Sequence, residues 1–361
     1  MTLIPHRTVA SQIAAQLRAE IAKGAWREWL PSERVLSRTV QASRNTVRTA
    51  LEQLKAEGLV VPARGLGNRI VTTTPAAPAN NQPSSVGVLI PEPVGRLRPL
   101  IALWIDELKD LLLEEGCRLR VHEGKQYYLS NPARALERLI GQQDHGAWVL
   151  TLSSEATQRW FAQRQIPCLV AGSTFAGVAL PHFDLDYRAI GRHAAGSLLR
   201  LGHRRIALLN REARRAGDVD SENGFLEAVQ ASRSRDATAE IAYHRDDVES
   251  VARALQKLFD RGRPPTGLVV SNSYAYLSAA SLLAQRGLRV PRDVSLISRD
   301  DDPFLASMAP EPARYVVAPQ AFAKKMIGPV LRLLSGEQSA RPPAPLLPKF
   351  VAGGSTSAPA T

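Results

Sequence analysis

A short stretch near the N-terminus, SRNTVR (43–48), combines residue types that suit contact with nucleic acid. Ser43 is a candidate helix cap, and Arg44 and Arg48 follow one helical turn apart with Asn45 and Thr46 between them. Arginine side chains and the N–H groups of a helix N-terminus hold phosphates, and the first residues of such a helix can reach the edges of bases. The stretch therefore predicts a contact with DNA, provided that a core anchors the rest of its helix.

The pattern around this stretch predicts three helices. Residues 8–23 are amphipathic, because apolar residues recur four apart on one face, and Gly24 follows as a stop. Ser32 is expected to cap a short second helix that turns Val35 and Leu36 inward, and Gly58 to end the third. The core positions are Val9, Ile13, Leu17 and Ile21 in the first helix, and Val47, Ala50, Leu51 and Leu54 in the third.

A hairpin follows these helices. Residues 59–71, LVVPARGLGNRIV, predict two short strands around Gly65 and Gly67, with Arg64 at the tip. This order of elements is the layout of a winged helix-turn-helix: a helix, a turn, a second helix with a polar first turn, and a basic hairpin. In that motif the second helix enters the major groove. A solvated, charged helix face is the alternative explanation of the same residues.

Positive charge is concentrated in this part of the chain. The whole sequence carries a formal net charge of +12, and residues 1–75 hold eleven Lys and Arg against five Asp and Glu. About a fifth of the chain therefore carries half of the excess, and a basic segment binds polyanions through the release of counterions. An arginine-rich composition throughout the chain would give the same count.

Length and composition predict more than one domain. The chain has 361 residues, 44% of them hydrophobic, enough to bury more than one core. The segment 72–85, TTTPAAPANNQPSS, lacks apolar periodicity and is predicted to be a linker between a domain at 1–71 and a larger one at 86–357. The sequence lacks a run of apolar residues typical of a membrane span or signal peptide, so a cytoplasmic location is expected. Cys117 and Cys168 lie far apart among apolar neighbours and are expected to be buried thiols.

Strand-like and helical patterns alternate beyond residue 86. Eight apolar runs, from 85–93 to 293–301, are predicted as strands, and helices are predicted at 100–115, 187–201, 248–261 and 274–286. This alternation predicts an α/β fold with parallel sheets, in which ligands bind at the carboxyl ends of the strands. The loops SNS (271–273) and SRDDD (298–302) lie at two such ends.

The sequence LPSERVLSRTVQASRNTVRTALEQLKAEGLVVPARGLGNRIV (30–71) resembles the GntR-type DNA-binding domain. The family pattern is roughly LPSER-x-LA, SR-x-TVR-x-AL-x-x-L-x-x-EGL and a glycine-bearing wing, and the resemblance begins near residue 9. It implies a small α+β winged helix-turn-helix that binds the DNA backbone and bases, with the wing tip in the minor groove. One departure is Glu28-Trp29 in place of Pro-Gly, where an altered turn is expected. The implied DNA-binding residues are Arg34, Ser43, Arg44, Asn45, Thr46, Arg48, Arg64 and Gly65.

Three later blocks, at 183–210, 264–304 and 350–357, resemble the LacI/GalR regulatory core. That core is a periplasmic-binding-protein-like fold of two lobes with parallel sheets, and the resemblance spans about 86–357. It implies an effector-binding and dimerisation domain, with one lobe at 86–184 and 319–336 and the other at 186–317 with the tail. The fusion is similar to an arabinose-repressor-like architecture.

The implied ligand pocket departs from this family. Members that bind sugars use an Asn, the first Asp of a GYDD segment, and an Arg three residues before a Gly-aromatic pair. Asn272 and Asp300 match two of these, whereas Ser221 stands at the Arg position and Ser273 follows the Asn. A serine does not replace the hydrogen bonds of a guanidinium, so the departures argue against a typical hexose. These four residues are the predicted effector-binding set, and the expected effector is a sugar or sugar derivative.

Other polar clusters give little support for catalysis or metal binding. The consecutive acids at 300–302 sit on one loop, and such acids rarely converge on one ion. Ser221, Asp186 and His182 have no spacing typical of a triad, and the sequence lacks a G-x-S-x-G elbow. His203 is expected to have a structural hydrogen-bonding role. We therefore expect no enzyme activity, no metal and no cofactor.

These features together predict a transcription regulator, in the simplest case a repressor. It would act as a homodimer on a palindromic double-stranded DNA operator, without a membrane partner, and respond to a small-molecule effector. Three rivals stay open. A constitutive or protein-controlled repressor would have a degenerate pocket, a solute-binding protein would share only the core fold, and an enzyme with a fused regulatory head would need a longer chain and a cofactor lysine.

Overall fold

The computed structural model describes residues 8–22, 26, 29–63, 67–70, 84–260, 262–337 and 343–360. The chain divides into two compact units, residues 1–82 and 83–361. Most of the predicted linker, 72–85, lies outside the described residues, so the domain boundaries given above stay a prediction. Among the described helices, none has the length and apolar character needed to cross a membrane.

The first unit contains three helices and a small antiparallel hairpin. Val60 of the hairpin pairs with Ile70, and Trp29 adds a single antiparallel bridge to Arg69 beside it. Residue 28, the other half of the departure Glu28-Trp29, lies outside the described residues, as do Arg64 and Gly65 at the hairpin tip. The elements are α1 (Val9–Ala22), α2 (Glu33–Thr39), α3 (Arg44–Ala56), β1 (Val60–Ala63) and β2 (Gly67–Ile70).

Serine caps begin both helices of the motif, as the sequence predicted. Ser32 Oγ accepts a hydrogen bond from the Val35 N–H at 3.4 Å, and Ser43 Oγ accepts one from the Thr46 N–H at 3.2 Å. Each cap satisfies an N–H group that has no partner within the helix. At the other end of α3, Gly58 adopts a φ of +73°, a left-handed conformation that favours glycine and ends the helix.

The core of the first unit confirms the predicted face of α3 and corrects two other positions. The four predicted apolar residues of α3 are all buried. Val9 is 61% exposed and Val35 is 45% exposed, so the prediction that they face the core was wrong. In α1 the buried stripe includes Ala10 and Ala14 beside Ile13, because alanine allows close packing of helices. In the seven-residue α2, Leu36 is the buried residue.

The second unit contains two sheets, and its α/β fold confirms the sequence prediction. In the first sheet all strands are parallel, in the order β4-β3-β5-β6-β7. These strands are β3 (Ser85–Ile90), β4 (Arg118–Glu123), β5 (Ala147–Thr151), β6 (Cys168–Ala171) and β7 (His182–Phe183). The helices between them are α4 (Pro99–Glu114), α5 (Ala133–Gln142) and α6 (Glu155–Gln163).

The second sheet has the order β13-β12-β11-β10-β8-β9, and only β13 runs antiparallel to its neighbour among the described strands. Its strands are β8 (Arg205–Arg211), β9 (Thr238–His244), β10 (Gly267–Val270), β11 (Ser295–Ser298), β12 (Ala313–Val316) and β13 (Lys349–Val351). Its helices are α7 (Tyr187–Arg200), α8 (Ala216–Gln230), α9 (Val248–Phe259) and α10 (Ser273–Gln285). The loops SNS and SRDDD follow β10 and β11, at the carboxyl ends of adjacent strands.

One further helix, α11 (Pro319–Leu334), follows β12 of the second sheet and packs against α4 beside the first. The rings of Trp104 and Phe322 lie 5.4 Å apart, centroid to centroid, and Met326 is buried in the same cluster as Leu108. The chain then returns to add β13 to the second sheet. These crossings place loops of both sheets around one cleft.

Two glycines allow α7 and α8 to touch backbone to backbone. A Cβ atom on Gly224 would lie 1.9 Å from the Arg188 carbonyl oxygen, and one on Gly191 would lie 2.2 Å from the Ser221 carbonyl oxygen. Such close approach excludes any side chain larger than hydrogen. The glycine of the segment SENGF therefore fixes α8, and with it Ser221, against α7.

Three single-residue predictions are confirmed in this unit. Cys117 and Cys168 are unpaired, buried thiols. His203 has a structural role, since its ring nitrogens bond to Thr266 Oγ1 at 2.9 Å and to the Ser357 carbonyl at 3.0 Å. The imidazole thus ties the connection between α7 and β8 to the C-terminal tail.

Candidate functional site

The N-terminal turn of α3 presents polar side chains away from the core. Arg44, Asn45 and Arg48 are exposed, whereas Val47 is 0% exposed. Thr46 is half-buried, and its hydroxyl lies 2.7 Å from that of Ser43. The helix therefore has one face for the core and a basic, hydrogen-bonding first turn that faces solvent in this unit.

A surface ion pair joins α3 to α2. Arg48 Nη2 lies 3.0 Å from Glu33 Oε2, and the Arg48 side chain is 63% exposed. An exposed pair contributes only about 0.2–1 kcal/mol, so Glu33 holds Arg48 weakly. Arg34, the next residue along α2, is also exposed. The six predicted DNA-binding residues that the structure describes thus lie at the starts of two adjacent helices.

Two cavities that share wall residues lie between the two sheets of the second unit. The first has a volume of about 120 Å³ and the second about 470 Å³. Ligand sites usually measure about 300–1,000 Å³, so the second cavity has the size of a ligand site, and side chains fill much of the space around the first. The residues common to both walls are Arg98, Ile101, Leu152, Arg211 and Arg215.

A charged clasp crosses this cleft. Arg98, directly before α4, bonds through Nε to Asp302 Oδ2 at 2.9 Å, and its Nη1 pairs with Asp300. The guanidinium also donates to the Asp301 carbonyl at 3.2 Å. Since the three acids follow β11 of the second sheet, this Arg98 clasp holds an arginine from the first half of the unit against the loop of the second.

A second buried arginine, Arg299, lies beside the clasp. It is 3% exposed, its Nη1 lies 2.8 Å from Asp218 Oδ1, and its guanidinium lies 4.6 Å from the Tyr187 ring centroid. Burial lowers the pKa of Arg299, but Asp300 and Asp218 outweigh burial and raise the pKa above its ordinary value. For Asp218, burial raises the pKa, yet the charges of Arg299 and Arg211 produce a net lowering. Both partners are therefore ionised.

The structure does not bring the four predicted effector-binding residues to one surface. Asn272 lines the second cavity, and Asp300 lines the first. Ser273 is buried and donates to the carboxylate of Asp302, while the buried Ser221 donates to the Gly217 carbonyl at 3.1 Å. The two serines lie behind the walls of the cavities and support their charged groups.

Asp184 is a half-buried acid at the wall of the first cavity. It accepts hydrogen bonds from Ser173 Oγ and from the Leu185 N–H, both at 2.8 Å. Burial is the largest influence and raises the pKa of Asp184 to about 7, although these two hydrogen bonds and Arg299 oppose the rise. The carboxyl therefore titrates near neutral pH.

Residues considered for metal or triad chemistry are engaged in pairs and caps. Asp301 Oδ1 lies 2.8 Å from Arg314 Nε, so each of the three consecutive acids faces an arginine. Asp186 caps α7, because its Oδ1 accepts from the Ala189 N–H at 2.8 Å. The hydrogen bonds of Ser221 join it to Gly217 and Arg299 and not to a histidine. Charge pairing and capping thus account for these side chains.

Comparison with known proteins identifies both parts of the chain. The family described as "Bacterial regulatory proteins, gntR family" matches residues 9–70, and "Periplasmic binding protein-like domain" matches residues 195–356. The chain carries a GntR-type DNA-binding domain and a periplasmic-binding-protein-like domain.

Several known proteins are similar to this chain. The arabinose metabolism transcriptional repressor of Geobacillus stearothermophilus is 26% identical over 292 residues, which cover 77% of each chain. The regulator AglR of Rhizobium meliloti (strain 1021) is 27% identical over 175 residues, 46% of this chain and 49% of AglR. A solved structure of the transcriptional regulator CelR in complex with cellobiose superposes with a TM-score of 0.66 at 18% identity, over 98% of this chain and 100% of that one. All three are transcription regulators, and the last likeness shows the fold.

Within the periplasmic-binding-protein-like domain, the structure places a guanidinium where the sequence predicted its loss. Ser221 stands at the family's Arg position, but Arg299 Nη1 lies 3.2 Å from Ser221 Oγ. Arg299 stands at the position of the tyrosine in the family's GYDD segment. This arginine in place of an aromatic residue was the signal that the sequence analysis missed.

Further cleft residues also escaped the sequence analysis. Arg98 belongs to the segment RLRPL (96–100), which the sequence analysis did not single out. Arg211 and Arg215 belong to REARRAG (211–217), directly at the end of β8. A run of arginines at the carboxyl end of a predicted strand was the available signal, since ligands bind there.

Proposed function

We propose that the protein is a ligand-controlled transcription repressor that binds a palindromic operator as a homodimer. The observation that carries this proposal is the first turn of α3, where exposed Arg44, Asn45 and Arg48 stand on a helix whose opposite face is buried. The GntR-type domain and the relatives support it, since one relative is named a repressor. Two such domains related by a two-fold axis would read two half-sites.

On DNA, α3 would enter the major groove with its N-terminus towards the bases. Arg44 and Asn45 would contact base edges, while Arg48 would exchange Glu33 for a phosphate and Arg34 would hold the backbone. The start of α3, where Ser43 caps the Thr46 N–H, is the positive end of the helix dipole, which favours a nearby phosphate. Arg64 and Gly65 remain the expected contacts of the hairpin tip.

Control would come from the cleft of the periplasmic-binding-protein-like domain. The Arg98 clasp joins its two halves, so a ligand that binds one arrangement of the clasp better than another would change the relative placement of the halves. A ligand changes operator affinity only by its differential affinity for these states. The cellobiose complex of CelR and the arabinose in the relative's name support a sugar or sugar derivative as the class of effector.

A gel-shift titration of single variants tests the DNA-binding surface. Arg44→Ala is expected to weaken binding to the operator by about 1–3 kcal/mol and to relax base preference, because a base contact is lost. Arg34→Ala is expected to weaken binding to operator and unrelated DNA alike. Lys55→Ala removes the same charge from the last turn of α3 and serves as the control. Unchanged affinity in both arginine variants, or an equal loss in the lysine variant, would refute the assignment of this turn.

A further inference from the structure

We propose that the second cavity binds a polyhydroxylated anion, a sugar acid or a sugar phosphate, and that Arg215 holds its charged group. The inference rests on the proposed function, because it names the chemical class of the effector for the same cleft. Two features of the cavity carry it: an arginine without an ion-pair partner, and two buried polar atoms without hydrogen bonds.

Arg215 differs from the arginines around it. Arg211 Nε lies 3.1 Å from Asp246 Oδ1, and Arg214 Nη2 lies 2.7 Å from Glu222 Oε2. Among the described residues, no carboxylate lies within ion-pair distance of the Arg215 guanidinium, and its 3.1 Å hydrogen bond to Asp218 is made by the backbone N–H. Burial and the charge of Arg211 lower the pKa of Arg215. Arg215 is half-buried, and the nearby Asp218 and Asp246 are paired with Arg299 and Arg211. A half-buried cation without an ion-pair partner is less favourable than a paired one, so an anionic ligand would gain by pairing with it.

Two buried polar atoms at the cavity wall have no hydrogen-bond partner among the described residues, namely Asn272 Nδ2 and His244 Nε2. Their residues are 2% and 1% exposed. Asn272 Oδ1 accepts from the Ala275 N–H at 2.8 Å, which leaves Nδ2 as a donor. His244 Nδ1 lies 2.6 Å from the Arg245 carbonyl, which only accepts, so Nδ1 carries the proton. Burial lowers the pKa of His244, and Nε2 of the neutral ring is then an acceptor.

A donor and an acceptor in one wall match hydroxyl groups, since a hydroxyl both donates and accepts. Buried polar groups are almost always satisfied in folded proteins. Both atoms are closed to solvent in this structure, so a ligand would bond to them after a rotation of their side chains. The cavity volume of about 470 Å³ suits a molecule of this class and excludes a folded partner. The ligand thus combines hydroxyls with a charged end.

The charge of the wall sets the sign of that end. Among the arginines that line the second cavity, Arg98 and Arg211 are paired with carboxylates, whereas Arg215 has no ion-pair partner among the described residues. A neutral sugar would satisfy Asn272 and His244 but would leave Arg215 unpaired. A cationic ligand would be repelled by Arg215. A carboxylate or a phosphate is the group that completes the set, and a guanidinium binds either one through paired hydrogen bonds.

Calorimetry and thermal shift on the full chain test the proposal with four compounds: D-gluconate, D-glucose 6-phosphate, D-glucose and inorganic phosphate. At least one of the two sugar anions is expected to bind, about 10-fold or more tighter than glucose and than inorganic phosphate. The two sugar anions separate a carboxylate from a phosphate specificity. Arg215→Gln is expected to lower the affinity for the anion by about 30-fold or more. Arg215→Lys keeps the charge and is expected to retain part of the affinity.

Arg214→Gln is the matched control, because it removes the same charge at the neighbouring position. The Arg214 side chain is exposed and paired with Glu222. The substitution is expected to leave anion affinity within about 3-fold. Without ligand, the melting temperature of the Arg215→Gln variant should be no lower than that of the wild type, since the substitution removes a cation that has no ion-pair partner. Equal binding of glucose and gluconate, equal losses in the two glutamine variants, or no binding of either sugar anion would overturn the proposal. A gel shift on operator DNA that persists in that case would leave the regulator function standing.

Discussion

At the scale of single residues, neighbouring charges decide which buried groups of the cleft are ionised. Arg299 is 3% exposed and charged, because Asp218 and Asp300 lie beside it. Asp184 has a serine hydroxyl and a backbone N–H as hydrogen-bond partners and an elevated pKa of about 7. The same cleft therefore contains firm ion pairs and one acid that changes its charge near neutral pH.

Asp184 is expected to make stability depend on pH. Its pKa is about 7 in the folded protein and about 3.9 in an unfolded chain. Between these values the folded state holds a proton that the unfolded state has released, so the free energy of unfolding falls as pH rises from about 4 to about 7, by up to about 4 kcal/mol, and then levels off. The side chain of the Asp184→Asn variant is uncharged at every pH, so its free energy of unfolding should not show this decline. Urea unfolding at pH 4.5 and pH 8 measures the difference.

The control for this experiment is Asp106→Asn, whose side chain is 71% exposed in α4. Its stability should follow the wild-type curve in parallel. If the Asp184→Asn curve also ran parallel to the wild type, the elevated pKa of Asp184 would be refuted.

At the scale of elements, local patterns specified most of the fold. The caps Ser32 and Ser43 act within three residues, so sequence alone revealed them, and the parallel strands followed from apolar runs. The position of Arg299 was not predictable in this way. Its contact with Ser221 joins residues 78 apart, and it depends on how closely α8 approaches the loop after β11. Val9 was misassigned because apolar spacing alone did not reveal that alanines could form the buried stripe of α1.

The close contact of α7 and α8 gives a test at this scale. Gly224→Ala would place a Cβ atom 1.9 Å from the Arg188 carbonyl oxygen, so the helices must separate, and a loss of about 1–3 kcal/mol or more in the free energy of unfolding is expected. Gly141→Ala in α5 meets nothing within 4 Å and should be neutral or stabilising by up to about 1 kcal/mol. Denaturant unfolding compares the two. A tolerated Gly224→Ala would contradict the packing that positions Ser221 and Arg299.

At the scale of the whole molecule, a GntR-type DNA-binding domain is joined to a periplasmic-binding-protein-like domain with a charged cleft. Their coupling has to be reciprocal: if a ligand changes operator affinity by some factor, operator DNA changes ligand affinity by the same factor. The motifs in the sequence predicted both domains. They did not reveal the Arg98 clasp, because that contact joins residues more than 200 positions apart.

The most direct test of the central claim is the binding of the purified full chain to a promoter fragment from its own locus, footprinted and titrated between about 50 and about 200 mM salt. A regulator that uses several arginine contacts to phosphates should protect a palindrome and lose affinity steeply, by about 10³-fold if six or more phosphates are contacted. Weak binding that ignores sequence and changes little with salt would contradict the account.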